Sequence, residues 1–337
     1  VRNGAEYLDG LLTVIRGQAL VEPTEVEIVI SDTESTDGSR EIAERHGARV
    51  IAVAKQDFSH GGTRNLLVAE SCGEIVAFLS QDAIPADDRW LASILEGFGA
   101  AEDVALVFGP HRARPGHSPS IAREMEDHFK AWGDGERIDV QRLEQTPDAL
   151  AAYREFPGRL QFFSDVNGAV ARSAWREIPY REVPYAEDQM LGREMIEAGH
   201  AKVFHPGAAV IHSHDYPPLK FLQRYFDEYR SLREVLGHVE PAGLRHWLRA
   251  VAGLTRRDRD YLRRLGTTGR RLNVATLKAA RHHLMRAIGS VLGSRADRLP
   301  PRLRGVLSLE GRSSFEPVEI ADSALTASER DSHQSVG

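Results

Sequence analysis

Apolar and polar positions along the first half of the chain change period every ten residues or so. Leu8, Leu11, Leu12 and Ile15 share one helical face, which Gly17 and Gln18 close. Glu25 to Ile30 reads as a short strand ending at Ser31 and Asp32, followed by the polar, turn-rich stretch Thr33–Ser39. A helix is predicted from Arg40 to His46, a strand from Ala48 to Val53, and a helix from Thr63 to Ser71. The apolar strand Ile75–Leu79 then runs into Ser80, Gln81 and Asp82, before a helix over Trp90–Phe98 and a strand over Val104–Phe108. Strands and helices alternating at this spacing predict an α/β domain, a mainly parallel sheet with helices on both faces.

The pattern loosens between 110 and 160, where Pro110, Pro115, Pro119 and Pro147 interrupt short helical stretches. Strand character returns over Gln161–Arg172, a helix is predicted over Ala186–Ala198, and a strand over Val203–Ile211 is broken by Pro206 and Gly207. From Leu219 nearly to Arg286 the period is helical, and from Glu316 the chain is Ser-, Ala- and Glu-rich with little to bury. The expected organisation is a nucleotide-binding domain over 1–218, a basic helical extension over 219–315 and a disordered tail over 316–337. A helix opening an α/β domain normally follows a strand, so the first strand is expected to be missing from this sequence.

Composition changes this picture little. The chain has 337 residues, 42% hydrophobic and 27% charged, the profile of an ordinary globular protein. Its single cysteine, Cys72, excludes an internal disulfide framework and fits a reducing compartment. No apolar run is long enough to span a bilayer, and the cytoplasm is the expected location. Charge is more informative. Between Arg245 and Arg304 sixteen Lys and Arg stand against three Asp and Glu, an excess of +13, which leaves −19 on the rest of a chain whose net charge is −6. Such a block points to a polyanionic contact, an anionic membrane face or a phosphate-bearing acceptor, with a solvated helical face as the alternative. Nucleic acid is disfavoured, because the block lacks interleaved aromatic stacking positions.

Parallel sheets collect ligands at the carboxyl ends of their strands, and two predicted strands end in aspartate. Asp32 there can accept hydrogen bonds from a base or ribose, while Asp37 or Ser39 better fits a helix cap. Asp82 can hold a hard cation such as Mg²⁺ or Mn²⁺ against a diphosphate, or it can simply form a turn. Phe58–Asn65 is a Gly61-Gly62 turn opening a helix with His60 and Arg64 beside it, a candidate anion contact without P-loop spacing. Glu187 and Asp188 open another helix, so that one acid can hold a network while the other faces a substrate hydroxyl. His212 and His214, alternate residues of an extended segment, can approach one metal. His205 reads as a packing residue.

In this order the pieces resemble the family 2 glycosyltransferases of the GT-A fold, and within them the rhamnosyltransferase-like branch. The matching stretches are Arg2–Gly4, Ser31–Ser39, Phe58–Asn65, Leu79–Pro85, Phe163–Gly168, Ala186–Asp188 and Ile211–His214, spread over about residues 1–216. The resemblance implies an inverting transfer of a sugar, such as rhamnose from dTDP-rhamnose, to a saccharide or lipid-linked acceptor in surface polysaccharide synthesis. It implies a nucleotide contact at Asp32, further donor contacts at His60, Arg64, Asp82 and Asn167, and a divalent metal at Asp82 with His212 or His214. Asp188, with Glu187 beside it, would be the catalytic base. The sequence departs from the family's DXD motif at Gln81-Asp82-Ala83, which leaves one carboxylate. Two other readings remain open at this point, a sugar nucleotidyltransferase and a non-catalytic scaffold at the membrane.

Overall fold

A computed structural model describes residues 1–20, 24–133, 135–309 and 311–317; most of the predicted tail, 318–337, lies outside the described residues. The chain divides into two compact units, Val1–Pro217 with Ala252–His282, and Pro218–Val251 with the described residues from His283 onward.

The first unit opens with α1 (Ala5–Arg16), which buries Leu8, Leu11 and Leu12, the predicted apolar face. Then come β1 (Val29–Asp32), α2 (Ser39–Arg45) and β2 (Arg49–Ala52). β1 and β2 pair in parallel with Val29 opposite Arg49, and Leu8, Leu12, Ile30, Ala43 and Ala48 form the small core beneath them. The chain continues through α3 (His60–Glu70), β3 (Ile75–Leu79), β4 (Ile84–Pro85), α4 (Trp90–Phe98), β5 (Val104–Phe108) and β6 (His111–Arg112). After these follow α5 (Pro119–Phe129), β7 (Asp139–Gln141), α6 (Pro147–Glu155), β8 (Asn167–Ala171), α7 (Arg172–Glu177), α8 (Glu187–Glu197), β9 (Ala201–Phe204) and β10 (Val210–Ile211).

The central sheet has the order β3-β8-β5-β9-β7. Its strands β3, β5 and β9 run the same way, as the β-α alternation requires, while β8 and β7 run against them. β5 is buried along its whole length, which its unbroken apolar run foretells. Side chains alternate across it: Leu106 and Phe108 join a core with Val68, Phe163, Leu191 and Met195, and Val107 joins another with Trp90, Ile94, Ala169 and Val203. The second core lies under α4, and the first lies under α3 and α8.

Two stretches differ from expectation. The segment 110–160 holds two helices, α5 and α6, each beginning at a proline, Pro119 and Pro147, that the pattern treated as an interruption; proline fits the first helical turn. The predicted strand over 203–211 is two short strands in different sheets. Pro206 and Gly207 turn the chain there, the Ala208 amide bonding the His205 carbonyl at 3.1 Å. β10 then pairs with β4 on one side and β6 on the other.

Between β1 and β3 lies an apolar slot of about 250 Å³, lined by Leu8, Leu12, Ile30, Ile75, Ala77 and Trp90 among others. Among the described residues β1 pairs with β2 and β3 with β8, and no ladder joins β1 to β3.

The second unit holds α9 (Pro218–Leu236), the first turns of α10 (Leu244–Arg264), the end of α11 (Gly269–Gly293) and α12 (Pro301–Leu307), with α12 packed on α9. α11 lies on the α9 backbone at Gly293, where a Cβ would stand 2.3 Å from the Phe226 carbonyl oxygen. No described helix is long and apolar enough to cross a membrane.

Candidate active site

The β4–β10–β6 sheet brings the first group of predicted residues together. Ile211 stands opposite Ile84, so the residue beyond β10 meets the loop just before β4. Asp82 Oδ1 lies 3.6 Å from His212 Nε2, and Asp82 Oδ2 lies 3.5 Å from His214 Nε2. The two-residue period of the extended chain puts both rings on one side, as expected. His214 is nearly half exposed and stacks on Tyr216 with ring centroids 5.4 Å apart, while His212 is mostly buried. The three ligand atoms lie within 4.8 Å of one another, so ligand bonds of about 2 Å could reach one ion. One carboxylate with two imidazoles suits a borderline transition ion better than Mg²⁺, which favours an all-oxygen shell.

Gln81, the departure from the DXD pattern, has a structural task. Its Oε1 accepts from the Arg2 amide at 2.9 Å and its Nε2 donates to the Arg2 carbonyl at 3.4 Å. A carboxylate there could only accept. The Arg2–Gly4 stretch is tied to the Ser31–Ser39 loop as well. Asn3 Oδ1 accepts from the Thr36 amide at 2.9 Å, and Asp37 accepts from Ala5 and Ser39 at 2.9 and 3.1 Å. Asp37 thus holds the first turns of both α1 and α2, and the Ser39 hydroxyl, followed by the Ala5 amide, keeps its pKa below the usual carboxylate value. Asp32 is buried. Its Oδ2 accepts weakly from the Ser35 amide at 3.4 Å, and its Oδ1 has no hydrogen-bond partner among the described residues. A buried orphan carboxylate oxygen at a strand end is a place for a ligand donor.

The second group forms a buried charge network. Arg64 pairs with Asp165 Oδ2 at 2.8 Å and donates to Glu187 Oε1. The Tyr180 hydroxyl donates to Asp165 Oδ1 at 2.7 Å. Asp188 Oδ2 accepts from the Asp165 amide at 3.3 Å, and its Oδ1 from the Gln189 amide at 2.8 Å. Ala186, just before the two acids, holds a left-handed backbone (φ 60°) uncommon for a residue with a Cβ. Glu187 is buried against Arg64, while Asp188 is only partly covered. Desolvation, then the charges of Glu187 and Asp165, push Asp188 up to about 7. Desolvation likewise lifts Asp165 to about 6 against the pull of Arg64.

Both groups lie at one end of the central sheet. Leu79 at the end of β3 stands opposite Asn167 at the start of β8, and the Ser80 amide bonds the Val166 carbonyl at 3.4 Å. The loop carrying Asp82 and the loop carrying Asp165 are therefore neighbours.

Three of the expected residues have surroundings that the sequence did not show. Asn167 is fully buried and does not line the site. Its Oδ1 accepts from Trp90 Nε1 at 2.8 Å and its Nδ2 donates to the Ala208 carbonyl at 2.7 Å, so it joins β8 to the core. Arg64 is held by two carboxylates, Asp165 and Glu187. The Gly61-Gly62 turn is not an anion cradle: a Cβ on Gly61 would stand 2.1 Å from the Arg181 carbonyl oxygen, and Ser59 Oγ already caps the Gly62 amide at 3.1 Å. His60 is exposed in the first turn of α3, edge-on to Phe58. His205 is buried with its Nδ1 accepting from the Gly207 amide at 3.1 Å, a packing role as expected.

Besides Asp165 and Tyr180 of the charge network, two further residues escaped the sequence reading. Arg114 donates to the Asp82 carbonyl oxygen, and its guanidinium lies 4.7 Å over the Tyr7 ring. The only signal was an arginine shortly after the buried strand β5. Lys202 is fully buried in β9 and donates to the Leu160 and Phe162 carbonyls at 2.5 Å each, fixing the chain just before Asp165. Burial lowers its pKa well below the usual lysine value.

Residues 1–163 match the family model described as Glycosyl transferase family 2. O-antigen chain rhamnosyltransferase WbaN of Salmonella anatum is 32% identical over 208 residues, 60% of this chain and 61% of that protein. O-antigen chain rhamnosyltransferase RfbN of Salmonella typhimurium is 29% identical over 233 residues, 67% of this chain and 68% of that protein. The matches thus span about two thirds of the length of these relatives. Among solved structures, mannosyltransferase PcManGT from Pyrobaculum calidifontis, in complex with GDP-Man and Mn²⁺, superposes with a TM-score of 0.52 at 16% identity, covering 88% of this chain and 84% of that one. That likeness is one of fold, and the fold is GT-A.

Proposed function

We propose that this chain, a member of the family 2 glycosyltransferases with a GT-A fold, transfers a sugar from a nucleoside-diphosphate donor to an acceptor hydroxyl with inversion. Rhamnose is the sugar we favour, carried by dTDP, because the two rhamnosyltransferases are its relatives. The acceptor is then a saccharide or lipid-linked oligosaccharide of surface polysaccharide synthesis. The observation that carries the reading is the pairing at one sheet end of a cation-ready Asp82–His212–His214 group with a carboxyl raised to about 7, Asp188. The family match favours transfer over the activation of a sugar or a purely structural role.

Asp188 takes the proton of the acceptor hydroxyl as its oxygen bonds to the anomeric carbon, and the bond from that carbon to the diphosphate breaks. A base near 7 is largely ionised at working pH yet still basic enough to accept the proton. Glu187 and Asp165, held by Arg64, fix its position and raise its pKa. Asp32 receives a hydrogen bond from the nucleoside, and Arg114 lies where its free guanidinium nitrogens can meet the diphosphate. Asp82, His212 and His214 would hold a divalent ion, Mn²⁺ on the strength of the two imidazoles, and such an ion neutralises charge on the departing diphosphate. The Mn²⁺ complex of the Pyrobaculum calidifontis mannosyltransferase supports that assignment. We place the enzyme in the cytoplasm, with peripheral contact to the inner membrane face through its basic helices.

A donor screen with Mn²⁺, read by nucleoside diphosphate release and by the anomeric configuration of the product, tests this. Release from dTDP-rhamnose with inversion is expected; retention, or release from none of the common donors, overturns it.

A further inference from the structure

One apolar stripe runs the length of α10, but its two halves are treated differently. Leu244, Trp247, Leu248, Val251, Asp258 and Leu262 follow the helical period on one face. At the C-terminal end this face is used: Leu262 is buried, and Asp258 accepts from Ser120 Oγ at 2.6 Å and from Arg123 of α5. At the N-terminal end the described residues leave most of it uncovered. Leu244 is 68% exposed and Leu248 is 62% exposed, with Trp247 and Val251 half-buried between them. Arg245 and Arg249 flank this uncovered face and are exposed as well. From Pro241 to Arg257 there are four arginines and no acidic residue.

Leucines and a tryptophan on one side with arginines at the flanks make the signature of a helix lying in the interface of a bilayer. The arginine stems can lie along the apolar boundary while their heads reach lipid phosphates. A protein partner able to match the same surface would need an acidic rim around an apolar groove, whereas an anionic lipid surface supplies both properties everywhere. Solvated leucines on a helix this polar are otherwise a solubility cost without return.

We propose that Leu244–Val251 is an interfacial segment that docks this protein on an anionic bilayer, with Leu244, Trp247 and Leu248 entering the headgroup boundary and Arg245 and Arg249 bound to lipid phosphates. The assignment narrows the whole basic block to two turns of one helix. It is independent of the transfer reaction, since docking is read without donor or acceptor.

The test is flotation of the full chain with vesicles of phosphatidylcholine alone and with vesicles of equal parts phosphatidylcholine and phosphatidylglycerol. The wild type is expected to float with the anionic vesicles, and less so at high salt. Leu244→Ser/Leu248→Ser and Arg245→Gln/Arg249→Gln should each lower that partition by about tenfold or more. Both pairs are exposed, and an unchanged melting temperature confirms that the fold survives. Brominated phosphatidylglycerol should quench a fluorescence component that Trp247→Phe removes. The proposal is overturned if the wild type does not float, if both double variants float as it does, or if the leucine variant instead dissolves a dimer of the wild type.

Discussion

The two acidic groups at the end of the central sheet are built on opposite principles. Around Arg64 the charges meet each other: Asp165, Glu187 and Tyr180 are all buried, and each has its partner inside the protein. Around Asp82 the polar atoms converge on a point between Asp82, His212 and His214, and His214 stays open to solvent. The first arrangement is knit by ion pairs inside the protein, and its carboxylates Glu187 and Asp165 help to raise the neighbouring Asp188. The second has three donor atoms within 4.8 Å of one another, a spacing that one metal ion could bridge. On the proposed function, the wired group would fix the position of a base and the open group would form a diphosphate site that can bind and release.

The sharpest way to break the comparison is Asp188→Asn. Transfer should fall by roughly 10²–10⁴-fold while donor affinity measured by titration calorimetry stays the same. The wild-type rate should rise as pH passes through about 7, where Asp188 loses its proton. Stability runs the other way. A carboxyl raised in the folded state favours folding fully below its unfolded pKa, near 4, and that contribution is lost as pH rises through about 7. Asp188→Asn should therefore melt higher than the wild type at pH 8 and gain little at pH 4. An equal gain at both pH values would show that Asp188 is not held raised.

Arg64→Met attacks the wiring itself. It leaves Asp165 and Glu187 buried without their cation, at a cost of about 3–5 kcal/mol in denaturant unfolding. Restored stability in the triple variant with Asp165→Asn and Glu187→Gln would confirm the charge origin. Asp82→Asn should weaken Mn²⁺ binding, followed by paramagnetic resonance, by about tenfold or more and leave the melting curve of the metal-free protein nearly unchanged. A large loss of stability would place Asp82 with the wired group instead. The smallest effect is expected of Arg114→Ala, about tenfold on donor KM with kcat little altered.

Much of this was legible in the chain. Strand ends and a helix start exposed Asp32, Asp82, Glu187 and Asp188, and the two-residue period exposed His212 and His214, because in each case the signal is local. Arg64 was visible as a cation but not in its role, since its partner Glu187 lies 123 positions further on. Asn167 misled because a core amide and a ligand-binding amide look the same until their partners are known. Arg114 and Lys202 were silent for another reason. Their partners are backbone carbonyls, which leave no trace in side-chain pattern.

The slot between β1 and β3 makes a seam through the site. Asp32 rides on the two-stranded ribbon and Asp82 follows the five-stranded sheet, and no described backbone ladder couples the two. Among the described residues the two-stranded ribbon is therefore joined to the central sheet by side chains and loops rather than by a ladder. A nucleotide-sugar held at one end by Asp32 and at the other beside Asp82 would stitch that seam, and its arrival should be visible as slowed exchange in β1 and β2.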